Sequence, residues 1–110
     1  TAAHGSTPVP WLIDGLTTEV ENPAEPPSPE QISQLQSMMR AVVTQGTARG
    51  MSAGGEIYAK TGEAEFASGS HAWFAGYRDD LAFATLIVAG GGSEAATAIT
   101  DVFFNELDRQ

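Results

Sequence analysis

Cysteine is missing from all 110 residues, which excludes a disulfide framework, a thiolate nucleophile and a Cys-based metal site. Histidine is nearly missing too. His4 and His71 stand far apart with no helical i, i+4 partner, so neither a metal site nor a cofactor is expected. Basic side chains are scarce: 5 Lys and Arg against 14 Asp and Glu give a net charge of −9 and a pI of 4.3. Such a surface repels phosphate backbones and anionic head groups, which argues against charge-driven binding to nucleic acid or lipid. No apolar run is long enough to span a bilayer, and no charged stretch leads into a hydrophobic one as in a targeting signal. The first residue is Thr1 rather than Met, so an upstream targeting segment would lie outside this chain. What is present is an apolar content of 42%, enough for the core of one domain or part of one.

Thr1-Ala2-Ala3-His4-Gly5 reads as the last turn of a helix closed by a C-cap glycine, followed by Pro8 and Pro10 framing an extended Val9 to Ile13. A chain that opens by ending a helix is expected to be part of a longer one. Residues 14–29 hold four prolines and the carboxylates of Asp14, Glu19, Glu21 and Glu25 with almost no apolar period, the pattern of an exposed connector. Ser28-Pro29-Glu30-Gln31 then supplies an N-cap serine, a proline at the first helical position and a glutamine able to close a capping box. A helix over 29–45 follows, with Ile32, Leu35, Met38, Met39, Val42 and Val43 as its core stripe and Gly46 as its stop. The methionine pair is read as core packing rather than as the wall of a cofactor pocket.

Gln45 to Gly55 forms a glycine-rich loop leading to a strand from Glu56 to Lys60. After a turn around Ser68-Gly69-Ser70, His71 to Arg78 and Leu81 to Ala89 read as strands joined by a tight reversal at Asp79-Asp80. The second of these is apolar at nearly every position from Leu81 to Val88, which predicts cover on both faces. Gly90-Gly91-Gly92 is a tight turn, since it lacks dinucleotide-loop spacing and no Lys follows it. Ser93 is expected to cap a helix over 94–108, with Glu94 near its positive end and Ile99, Val102, Phe103 and Leu107 on the face that covers the sheet. The expected fold class is α+β: an antiparallel sheet of at least three strands flanked by helices.

The only lysine, Lys60, opens the triplet Lys60-Thr61-Gly62. In a strand, Lys60 and Thr61 present an ammonium and a hydroxyl to opposite sides, and Gly62 lets a ligand backbone lie close. The N–H of Glu63 then points outward as a donor. Together these make a strand edge suited to a terminal carboxylate and to a developing oxyanion.

Lys-Thr-Gly resembles the third box of the serine acyl-transferases that include penicillin-binding proteins and β-lactamases, alongside Ser-x-x-Lys and Ser-x-Asn. Met39 to Ala48 looks like the helix and Gly-Thr-Ala segment that precede this box in class B penicillin-binding proteins, and His71-Ala72-Trp73-Phe74-Ala75-Gly76-Tyr77 resembles the strand after it. Ala2-Ala3-His4-Gly5 with Pro8 and Pro10 resembles the segment upstream. The resemblance covers nearly the whole chain and implies the C-terminal portion of a D,D-transpeptidase domain over 1–110. It also implies attachment to the extracytoplasmic side of the cell membrane through an N-terminal segment not present here. Peptidoglycan stem peptides, β-lactam antibiotics and the upstream part of the same protein, whether continuous with this chain or a separate one, are the implied partners. Lys60 is implied to hold positive potential near the ligand carboxylate, Thr61 to hydrogen-bond it, Gly62 to permit close approach and the Glu63 backbone N–H to serve as an oxyanion donor.

None of the serines Ser6, Ser28, Ser33, Ser37, Ser52, Ser68, Ser70 and Ser93 has Lys three residues on, and no Ser-x-Asn occurs. The nucleophile, its activating lysine and the second box are absent, so the chain alone is not expected to be active. Glu63 stands where the family usually has Thr or Ser. Either its carboxylate repels a ligand carboxylate, in which case Glu63→Thr speeds β-lactam acylation, or it turns to solvent. The other readings of the fold are a β-lactam sensor domain, a β-lactamase, and a non-catalytic acidic interaction domain with a chance triplet. Glu63 with Glu65 reads as solvated strand-end charge rather than a catalytic or metal-binding pair. Ser70 and His71, adjacent in a strand, point oppositely and form no nucleophile and base. Trp73, Phe74 and Tyr77 read mostly as core filling.

Overall fold

The computed structural model describes residues 1–110 and contains helix α1 (Pro29–Thr44), strands β1 (Ile57–Phe66), β2 (Gly69–Arg78) and β3 (Leu81–Ile87), and helix α2 (Glu94–Leu107). The expected α+β class is realised as a three-stranded antiparallel sheet in the order β1-β2-β3. The chain divides into two units, Thr1–Gln36 and Ser37–Gln110.

In the first unit the Gly5 N–H donates to the Thr1 carbonyl at 2.8 Å, and Gly5 takes a left-handed φ of +69°. The glycine-closed turn is therefore present, as a single turn without a helix. The Gln36 side chain donates to the Ala2 carbonyl at 2.9 Å, tying this turn to α1. The capping box forms in both directions: Ser28 N–H to Gln31 Oε1 at 2.8 Å and Gln31 N–H to Ser28 Oγ at 3.3 Å. The connector stays exposed and carries one turn, closed by Leu16 N–H on the Ile13 carbonyl at 3.2 Å with Gly15 at φ +80°. The α1 stripe is only partly buried. Ile32 is inside and Met39, Val42 and Val43 are half-buried, whereas Leu35 and Met38 are exposed, so Met38 does not fill a core.

In the second unit the register pairs Ile57 with Arg78 and Phe66 with Gly69, leaving Ala67 and Ser68 as the turn. β1 is thus longer than its apolar pattern predicts, running through the whole Lys-Thr-Gly triplet to Phe66. Asp79 and Asp80 make the second reversal, Asp79 at a φ of +52° that a short polar side chain tolerates. Gly76 faces Ala59 so closely that a Cβ there would lie 2.1 Å from the Tyr58 carbonyl oxygen and 2.7 Å from the Ala59 Cα. Backbone on both strands cannot yield cheaply. Gly76→Ala is expected to destabilise by the upper end of about 1–3 kcal/mol, read from the urea midpoint; a loss too small to measure would show that the hairpin can spread.

One face of the sheet is packed: Ile57, Ala59, Ala72 and Phe74 join Ala48, Ala96 and Phe104 in one core. α2 covers β2 and β3 on this side, but with a different stripe from the one expected. Ala96, Thr97, Thr100 and Phe104 point inward, while Ile99, Val102 (62% exposed), Phe103 and Leu107 face outward. Small residues let the helix approach the sheet, and Thr100 satisfies its hydroxyl on the Ala96 carbonyl at 2.8 Å and Thr85 Oγ1 at 2.7 Å. Ser93 is not a capping residue. It already has helical angles, φ −62° and ψ −12°, and makes no side-chain cap bond.

The C-terminal end of α2 is fixed by Arg78, whose guanidinium forms a bidentate pair with Asp108 at 2.7 and 3.0 Å and lies 4.3 Å from the Phe104 ring centroid. Asp101 on α2 accepts from the N–H groups of Ser52 and Ala53 at 2.8 and 2.7 Å, holding the loop after α1 against the helix.

The opposite face has no second layer in this chain. β3 was expected to be covered on both sides, yet Leu86 is exposed, as is Val88 beyond it. Trp73 is 38% exposed on the same face, so of the three aromatics in β2 only Phe74 is fully in the core. Tyr77 stacks on Tyr58 at 5.0 Å.

Candidate functional site

β1 is an edge strand, and its backbone alternates between β2 and open space. The close Gly76–Ala59 pairing marks Ala59 as a non-hydrogen-bonded position, so Ile57, Ala59, Thr61 and Glu63 turn their N–H and C=O groups outward. Two of these carbonyls show where they point: Ile57 accepts from Arg40 Nη1 at 3.1 Å, and Thr61 accepts from the Lys60 ammonium. By the same alternation the Glu63 N–H faces the open edge.

Side chains alternate between the faces. Lys60 lies exposed on the uncovered face with Trp73, Tyr58 and Tyr77, bent along its own strand to the Thr61 carbonyl. Thr61 is on the packed face, 7% exposed, with its hydroxyl 2.7 Å from Thr47 Oγ1. Gly62 sits opposite Trp73, where a Cβ would come within 3.3 Å of the Trp73 Cβ. Glu63 returns to the packed face, and its Oε1 accepts from Ser70 Oγ at 2.5 Å. Lys60, Thr61, Gly62 and Glu63 thus form one continuous piece of edge, with an ammonium on one side, hydroxyls on the other and backbone donors between them.

Two participants were not assigned to this site from the sequence. Thr47 was visible only within the Gly-Thr-Ala segment, and Ser70 only in a turn and in a rejected pairing with His71. Strand parity pairs Ser70 with Glu63 once the register is known: Glu65 faces Ser70 and Glu63 faces Ala72. His71 on the other face accepts the Ala89 N–H at Nδ1, 3.0 Å away, and stacks on Phe66 at 4.7 Å, remote from any role with Ser70. No group of three or more His, Asp or Glu is arranged to hold a metal.

The family model of the penicillin binding protein transpeptidase domain matches residues 1–107. No curated protein and no solved structure is significantly similar to the chain. With nearly every residue inside that match, and a Lys-Thr-Gly strand presented at an open sheet edge, the chain belongs to the penicillin-binding-protein transpeptidase family, whose general role is peptidoglycan cross-linking.

Proposed function

We propose that residues 1–110 are the C-terminal part of a class B serine D,D-transpeptidase, with the Ser-x-x-Lys and Ser-x-Asn groups on an upstream part of the same protein. The observation that carries this reading is the open edge of β1 with Lys60 at its face and the Glu63 N–H turned outward. The uncovered sheet face, where Trp73, Leu86 and Lys60 stand exposed, supports it by offering an apolar surface for the upstream part. The protein is then extracytoplasmic and anchored to the membrane by its N-terminal segment.

In the complete enzyme the serine Oγ attacks the penultimate D-alanine carbonyl of a stem peptide. The Oγ–C bond forms, the peptide C–N bond breaks, and terminal D-alanine leaves with a proton. An amine of a neighbouring strand then attacks the acyl-enzyme and releases the serine. β1 supplies the binding wall for both steps. The Glu63 N–H is one of two oxyanion donors, the Thr61 hydroxyl, positioned by Thr47, bonds the ligand carboxylate, and Lys60 provides the positive potential that draws it there. Gly62 allows the peptide backbone to lie against the edge.

Labelling the full-length gene product with a fluorescent penicillin and mapping the adduct tests this reading. A stable adduct on a serine upstream of Thr1 is expected. An adduct on a serine of this chain, or none, would sink the proposal; rapid hydrolysis of the adduct would instead identify a β-lactamase.

A further inference from the structure

We propose that Ser70 is a positioning residue that latches the Glu63 carboxylate away from the open edge of β1, keeping that edge free for a ligand ending in a carboxylate. The inference rests on the transpeptidase reading and adds a device to it. Glu63 has its backbone turned to the open edge and its side chain on the packed face, beside Thr61. From there its carboxylate can reach forward over the edge, where a ligand carboxylate would arrive, or back over β2.

The structure shows the second arrangement. Ser70 lies diagonally across the strand pair on the same face and donates its hydroxyl to Glu63 Oε1 at 2.5 Å. Ser70 is the fixed partner. It is 6% exposed, its Oγ also lies 3.1 Å from the Gly91 carbonyl oxygen, and its own carbonyl accepts the Gly91 N–H at 3.2 Å. Glu63, exposed and with three side-chain torsions, is the movable arm. A neutral hydroxyl rather than a cation holds it, so no opposite charge offsets the carboxylate, which becomes repulsive to an anionic ligand once the latch opens.

The latch accounts for how an acidic residue is accommodated where a hydroxyl residue is usual. It also reduces the benefit expected from Glu63→Thr, because the charge it would remove is already drawn back.

The test measures second-order acylation by an anionic penicillin in the full-length protein, comparing wild type, Ser70→Ala, Ser70→Thr, Glu63→Gln and Ser70→Ala with Glu63→Gln. Ser70→Ala is expected to slow acylation about tenfold at low salt, with the deficit shrinking as ionic strength rises. Ser70→Thr, which keeps the hydroxyl, should restore the rate, and in the Glu63→Gln background the serine substitution should change it less than about twofold. An equal deficit with and without the Glu63 charge, or one indifferent to salt, would show that Ser70 acts only by supporting the Gly91 loop and would overturn the latch. A wild-type protein that is not acylated at all would overturn the transpeptidase reading and the latch with it.

Discussion

Lys60→Ala in the complete protein is expected to lower the rate constant for β-lactam acylation by about 10² to 10³, the loss typical when a preorganised donor or charge is removed from an acyl-transfer site. The expectation follows from scarcity and placement together. Lys60 is the sole lysine of a chain with net charge −9, and it stands at the edge strand next to the outward-facing groups of Thr61 and Glu63. Its ammonium lies along the strand on the Thr61 carbonyl, so it is pre-positioned rather than swinging in solvent. Arginine should not substitute. A planar fork on a longer stem cannot place a compact charge at the same point, and Lys60→Arg is expected to recover less than a tenth of the rate. The side chain is exposed, so thermal stability should be unchanged, which separates a site effect from unfolding. Acylation within about threefold of wild type would remove Lys60 from the site.

Phe104→Ala is expected to cost about 3–5 kcal/mol, the range for truncating a fully buried phenylalanine. Phe104 is fully buried where α2 meets the sheet, edge-on to Phe83 at 5.2 Å and under the Arg78 guanidinium. Its neighbours on the inner face of α2 are Ala96, Thr97 and Thr100, too small to swing into the space it would leave. The bidentate pair between Arg78 and Asp108 would survive, holding the helix end in place and so keeping the cavity open. Phe103, adjacent but half-exposed, is the internal control, and Phe103→Ala should cost less than about 1 kcal/mol. Urea unfolding of the three proteins measures the difference; equal losses at the two positions would mean that the outward stripe is packed in the complete molecule.

The inward and outward stripes of α2 show what the sequence disclosed and what it hid. Both Ile99-Val102-Phe103 and Ala96-Thr100-Phe104 recur at helical spacing, and hydrophobicity favours the first. The helix turns the second inward because close approach to a sheet rewards small side chains, and Thr hydroxyls can be satisfied locally, as Thr100 is on Ala96. The capping box at Ser28, the Asp79-Asp80 reversal and the strand alternation of Lys60 and Thr61 were legible, because each depends on a few adjacent residues. The extension of β1 to Phe66 was not. Glycine and alternating glutamates are poor strand formers, and only pairing with β2 over ten positions holds them extended. The candidate site was legible as a motif, but its supports were not. Thr47 reaches Thr61 across 14 residues and Ser70 reaches Glu63 through the strand register, and neither distance is written in local spacing.

The open edge of β1 has a colloidal consequence as well as a chemical one. A row of outward N–H and C=O groups able to pair with an extended ligand can pair with any extended backbone, including the same strand of another copy. Glu65 adds a negative charge to the end of that strand in a chain already at −9, so two copies approaching edge to edge meet repulsion before they meet hydrogen bonds. The acidity that disfavours nucleic acid also guards the strand against self-templated assembly. Salt or low pH, which weaken that repulsion, are the conditions under which copies would begin to associate through β1.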